Sequence, residues 1–135
     1  MSTKKSKETS QNLIKTVEQG RAKFAYERVQ KIVNAEESWS SDYKSYLKRI
    51  PMLIKTNGLA ATIAFILKKD SAAYKRIYED CTEWIKKDPK RVFNLDDREL
   101  IKYILDLDSS EYRAFTSEIL SFIKWMSRFA NGMIN

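Results

Sequence analysis

The 135-residue sequence predicts an all-α fold: a compact single-domain bundle of about six helices around a central apolar helix at 59–68. Three observations carry this. Only 3 Gly and 2 Pro are present, too few for the tight turns of an all-β sandwich. Apolar residues recur three, four and seven positions apart along most of the chain. One stretch, Thr56 to Asp70, carries no titratable side chain between Asn57 and Leu67. The length suffices for a hydrophobic core without metal or disulfide.

Taken in order, residues 1–10 are polar and basic, and read as a flexible tail before a single helical domain at 11–135. They lack the apolar stretch of a secretory signal. From about Gln11 to Asn34, Leu13, Val17, Ala22, Ala25, Val29 and Ile32 mark one helical face. Gly20 either weakens this helix or admits a close neighbour. Residues 35–40 read as a loop, with Ser41 or Asp42 capping the next helix. There Tyr43, Leu47, Ile50 and Ile54 share a face. Pro51 inside the pattern predicts a kink or a new helix start. Asn57-Gly58 is a helix stop, since both residues tolerate the left-handed conformation.

The run Leu59–Leu67 has no polar face. A helix of that kind is buried or spans a membrane, and spanning takes roughly 20 such residues. This run is about half as long, so it is expected at the centre of the core. Ser71 caps a helix to about Lys87, with Tyr74, Ile77, Tyr78, Cys81, Trp84 and Ile85 inward, ended by Asp88-Pro89. Asn94 with Asp96 and Asp97 predicts a helix start, and a short helix to about Leu107. Asp108-x-x-Glu111 resembles a capping box and opens a last helix to about Ala130. Its inner face is Tyr112, Phe115, Ile119, Phe122, Ile123, Met126 and Phe129. Trp39 is expected in a loop and Trp125 at a rim.

Little catalytic material is present. There is no histidine, hence neither the commonest general base nor the commonest transition-metal ligand. One cysteine without histidine cannot build a usual structural zinc site. Neither GxxxxGK[ST] nor GxGxxG occurs. The carboxylates of Asp96-Asp97-x-Glu99, and Asp106 with Asp108, fall at helix starts or in a linker, where they cap and complement the macrodipole; a hard-metal site is the alternative. Cys81 reads as a small hydrophobe. A lone cysteine fits a reducing, cytoplasmic setting.

Charge is more informative. Lys and Arg number 25 against 18 acids, a net charge of +7 and a pI near 9.4. This balance suits an anionic partner, nucleic acid before an anionic membrane. Between residues 41 and 69, Lys44, Lys48, Arg49, Lys55, Lys68 and Lys69 face Asp42 alone. Between 92 and 118, seven acids outnumber Arg98, Lys102 and Arg113. Lys44, Lys48 and Lys55 form one stripe if their helix continues past Pro51; Arg113, Lys124 and Arg128 form another. Such stripes match a phosphate backbone and also a plain solvated face. The acidic and basic segments suit head-to-tail stacking of copies.

Three segments together resemble a known family. They are Arg21-Ala22-x-Phe24-Ala25-Tyr26; Ile50-Pro51-Met52-Leu53-Ile54-x-x-Asn57-Gly58-Leu59 running into Ala64-Phe65; and Tyr112-Arg113-x-x-Thr116-x-Glu118 with Trp125-x-x-Arg128-Phe129-Ala130. In order and spacing the set is similar to the small all-helical subunit of the type III-B CRISPR effector, the Cmr complex, over about residues 13–132. The resemblance implies a non-catalytic subunit stacked in copies beside a repeated backbone subunit, holding target RNA near the guide RNA. Its implied partners are those subunits and RNA; no cofactor, small-molecule substrate or membrane is expected. It points to Arg113 and Arg128 as RNA contacts. Arg21 lies in a matching segment and either contacts RNA or pairs with Glu118. Lys124, Lys44, Lys48, Lys55, Lys68 and Lys69 join the candidate RNA-binding set from charge pattern. A free-standing nucleic-acid-binding protein and a pure protein-interaction module remain the alternatives.

Overall fold

The computed structural model describes residues 2–87 and 92–135. Its helices are α1 (Ser2–Asn34), α2 (Ser40–Asn57), α3 (Leu59–Lys68), α4 (Ala72–Lys87), α5 (Leu100–Asp106) and α6 (Ser109–Met133), and no strand occurs among the described residues. The all-α expectation holds. The Asp88-Pro89 stop falls outside the described residues, as does the side chain of Leu13.

Helix α1 begins at Ser2, upstream of the expected start. Its lysines, glutamates and glutamines are good helix formers, and nothing before Gly20 breaks the pattern. Gly20 does not interrupt the helix, and a Cβ there would meet Trp84 at an ordinary 3.8 Å. The helix closes with Glu36 in the left-handed conformation (φ 51°), its neighbour Glu37 donating N–H to the Ile32 carbonyl.

Pro51 lies inside α2, and the helix continues through it. Interior proline costs about 3 kcal/mol. Tyr43, Leu47, Ile50 and Ile54 are all buried on one face, and each contributes roughly 1.5–3 kcal/mol, which outweighs that cost. The start differs from expectation: Trp39, not Ser41 or Asp42, is the cap residue, and no side chain bonds the first turn. Gly58 ends α2 as expected, with φ 88° and its N–H on the Ile54 carbonyl at 2.8 Å.

Helix α3 is not the centre of the core. Leu59, Thr62, Ile63 and Ile66 are buried, while Ala61, Ala64, Phe65 and Leu67 face outward. Its main packing is on α2, α4 and α5, which leaves one side without a neighbour. The centre belongs to α6, which packs on α1, α2 and α4 through Phe115, Ile119, Phe122, Ile123, Met126 and Ala130. Trp84 of α4 stacks on Phe122 at 5.4 Å, and Phe24 of α1 completes the cluster. Among the described residues no helix is long and apolar enough to cross a membrane.

The expected helix from Asn94 is a turn, and α5 starts only at Leu100. Asp96 adopts φ 53°, which an α-helix cannot contain. Arg98 holds the turn by donating to the carbonyls of Leu95 and Asn94. The α6 start is where expected: Asp108 is the cap residue and accepts the Glu111 N–H at 2.8 Å, a bond that lowers the Asp108 pKa.

Two helix starts lack local caps and are capped from afar. The Tyr112 hydroxyl of α6 accepts the Ala60 N–H at 2.9 Å, and Tyr78 of α4 accepts the Ile101 N–H at 3.3 Å. A polar hub ties three helices. Asp80, fully buried, accepts from Tyr43 Oη at 2.6 Å, Arg28 Nε at 2.6 Å and Arg76 Nε at 3.1 Å. Burial pushes its carboxyl upward, opposed by Tyr43 and Arg28.

Candidate nucleic-acid interface

Helix α6 presents Arg113, Lys124 and Arg128 to solvent. At 100° per residue, offsets of eleven and fifteen keep all three within about 60° of one line. The end of this stripe is backed by rings. The Arg128 guanidinium lies 4.8 Å from the Trp125 ring centroid, Trp125 stacks on Phe129, and Phe129 meets the edge of Tyr26 on α1. Trp125 Nε1 donates to Glu18 at 3.1 Å, fixing the indole as a partly exposed platform. Trp125 thus sits at a rim, as expected.

Arg21 is engaged elsewhere. Its Nε and Nη2 bond both carboxylate oxygens of Glu118, at 2.6 and 2.9 Å, and Trp84 Nε1 also reaches Glu118 at 3.2 Å. This bidentate pair clamps α1 to α6. Arg21 thus makes the Glu118 pair, one of the two roles its motif allowed. Lys44 leaves the α2 stripe as well: its Nζ donates to the Ile134 carbonyl at 3.0 Å, at the end of α6, where a cation complements the helix dipole.

Lys48 and Lys55 remain exposed on α2, with Arg49 and the exposed Met52 beside them. Lys68 and Lys69 are exposed at the end of α3, and Lys69 Nζ lies 4.9 Å from the Phe65 ring centroid. The structure thus separates the predicted residues into an α6 stripe, an α2–α3 surface and two cations, Arg21 and Lys44, that bond within the fold. The acids Asp96, Asp97, Glu99, Asp106, Asp108 and Glu111 are all exposed on α5 and the segments flanking it.

Sequence reasoning missed Asp80. Asp80 had a signal: it occupies an inward position between Ile77 and Trp84, where an unpartnered carboxylate would be costly. Cys81 is buried, and burial pushes its thiol far up, as suits a core hydrophobe. Among the described residues no group of three or more His, Cys, Asp or Glu could hold a metal ion.

The segments that carried the resemblance meet in space. Arg21 binds Glu118, Tyr26 packs on Phe129, and Tyr112 reaches over Gly58 to Ala60. Several of these residues are joints of the fold, while Tyr26, Met52, Phe65, Arg113 and Arg128 are exposed. The family model described as CRISPR-associated protein (Cas_Cmr5) matches residues 17–133. This chain belongs to the Cmr5 family. The "CRISPR system Cmr subunit Cmr5" of Thermus thermophilus is 26% identical over 114 residues, 84% of this chain and 91% of that protein. The crystal structure of a CRISPR-associated Cmr5 family protein from the same species superposes with a TM-score of 0.74 at 25% identity. The match covers 87% of this chain and 96% of that one. The Cmr5 fold accounts for most of the helical body described above.

Proposed function

We propose that this Cmr5-family chain is a non-catalytic scaffold subunit of a type III-B CRISPR complex, cytoplasmic and part of antiviral defence. It stacks in copies beside a repeated backbone subunit and holds target RNA through its basic surface. The supporting observation is the exposed Arg113–Lys124–Arg128 line on α6, with Arg128 seated on Trp125. Cations on a rigid helix suit a strand of any sequence, because phosphate contacts position without reading bases. The related subunit named for the Cmr system supports the assembly partner.

The test is the assembled complex carrying Lys124→Glu and Arg128→Glu. Target-RNA capture is expected to weaken. The slope of log affinity against log salt should fall by about 0.7 for each lost phosphate contact. Circular dichroism should be unchanged, since both side chains are exposed. Unchanged capture would show that this face is not the channel. Stacking of copies rests on the exposed acids around α5 and the exposed lysines of α2. Sedimentation that is insensitive to concentration and salt would count against it.

A further inference from the structure

Lys124 and the two arginines of the α6 stripe suit contact with a phosphate backbone. A second place in the molecule combines rings and cations differently. Where α2, α3 and α4 meet, Tyr46, Arg49, Phe65, Lys69 and Tyr74 line one groove, with Asp70 and Ser71 at its rim. Tyr46 and Tyr74 stack face to face, 3.9 Å apart and 3° from parallel. Phe65 meets Tyr74 edge-on at 5.9 Å. Tyr74 is buried and forms the floor; Tyr46 is half-buried and Phe65 is 37% exposed. The two outer rings thus share one buried ring as their support.

The cations stand beside the rings, with Lys69 Nζ 4.9 Å from the Phe65 centroid and Arg49 next to Tyr74. Arg49 and Lys69 are exposed on opposite elements of the groove, α2 and the end of α3. Asp70 at the rim has its carboxylate on Lys75 at 3.2 Å. The groove is therefore apolar and aromatic below, cationic above, and partly neutralised on its acidic side. Ser71 Oγ accepts the Tyr74 N–H at 3.4 Å. Planar rings under a pair of cations suit a flat apolar group that carries an anion.

We propose that this groove binds one nucleotide of a single-stranded RNA, its base against Tyr46 and Phe65 and its phosphate between Arg49 and Lys69. The proposal rests on the RNA-binding reading above and deepens it by adding a base-stacking subsite remote in sequence from the α6 stripe. Stacking of this kind tolerates every base, so it suits a strand whose sequence is set elsewhere.

The test is fluorescence anisotropy of the full chain with a labelled oligouridylate and with an abasic oligoribonucleotide of equal length. The abasic strand is expected to bind roughly tenfold more weakly. Tyr46→Leu, which keeps apolar volume and removes the ring, should abolish that difference, and Tyr46→Phe should keep it. Phe65→Leu repeats the test at the more exposed ring if Tyr46→Leu unfolds. Arg49→Gln with Lys69→Gln should weaken both strands alike. Equal binding of the two strands by the native chain overturns the groove. If Lys124→Glu with Arg128→Glu still abolishes that equal binding, the α6 reading stands without it. A base preference that survives both ring substitutions also overturns the groove. Binding of neither strand overturns the groove, while the α6 reading is decided by RNA capture in the assembled complex.

Discussion

Replacing Asp80 with alanine tests whether one buried carboxylate organises three helices. Tyr43 of α2, Arg28 of α1 and Arg76 of α4 all donate to it. Breaking a buried ion pair from one side typically costs about 3–5 kcal/mol. Here the arginines soften the loss. Their side chains are 11% and 21% exposed, and Arg28 keeps Glu79 at 3.4 Å. Tyr43 has no such escape, being fully buried with only the Met126 sulfur at 3.5 Å. The expected loss is about 3 kcal/mol, or roughly 10 °C in Tm. Asp80→Asn keeps an acceptor in place, and burial already disfavours the ionised carboxyl. It should therefore cost about half as much. Urea unfolding followed by far-UV circular dichroism and by tryptophan fluorescence gives both values. Trp84 in the core reports on the same transition. A cost below about 1 kcal/mol for Asp80→Ala would refute the argument that the hub is a structural keystone.

Gly58, between α2 and α3, and Gly20, inside α1, should respond to alanine with opposite signs. Gly58→Ala forces a Cβ into φ 88° and to 3.4 Å from Tyr112 Oη, for a loss of about 1–3 kcal/mol, whereas Gly20→Ala has room and should gain about 0.5–1 kcal/mol in thermal or urea unfolding. Arg21→Gln breaks the Glu118 clamp and should destabilise by about 2 kcal/mol while leaving the salt slope of RNA capture intact; an altered slope with unchanged stability would return Arg21 to the RNA-contacting set. Because burial raises the Cys81 thiol, the neutral form persists in the fold even in mildly alkaline buffer. A disulfide reagent should therefore label Cys81 only as fast as the protein unfolds, and rapid labelling of the native protein would contradict its placement.

Much of the fold is legible locally. Tyr43, Leu47, Ile50 and Ile54 share a face by spacing alone and are all buried. Asn57-Gly58 and Asp108-x-x-Glu111 mark a stop and a start that the backbone uses, because their chemistry acts within one turn. The errors lie where distant residues decide. Composition could not show that α3 has neighbours on one side only, so a run apolar all round was expected at the centre. The Asn94–Asp97 start failed because Asp96 takes a left-handed conformation, held by a turn that Arg98 closes onto two carbonyls.

The candidate site divides along the same line. Sequence alone determined that the chain is helical and basic, and which cations share a helix face, since periodicity and charge belong to the residues themselves. It also carried the family, through segments whose spacing the fold needs. Only the tertiary structure decided which cations are free to meet a partner. Arg21 finds Glu118 and Lys44 finds the end of α6, while Lys124 and Arg128 stay in solvent. It alone brought Tyr46, Phe65 and Tyr74 to one groove, and Tyr112 and Tyr78 to the uncapped starts of α3 and α5. The physical reason is common to all of these. A charge or hydroxyl acquires its role from the partner within about 3 Å, and that partner is set by how helices pack rather than by neighbours along the chain.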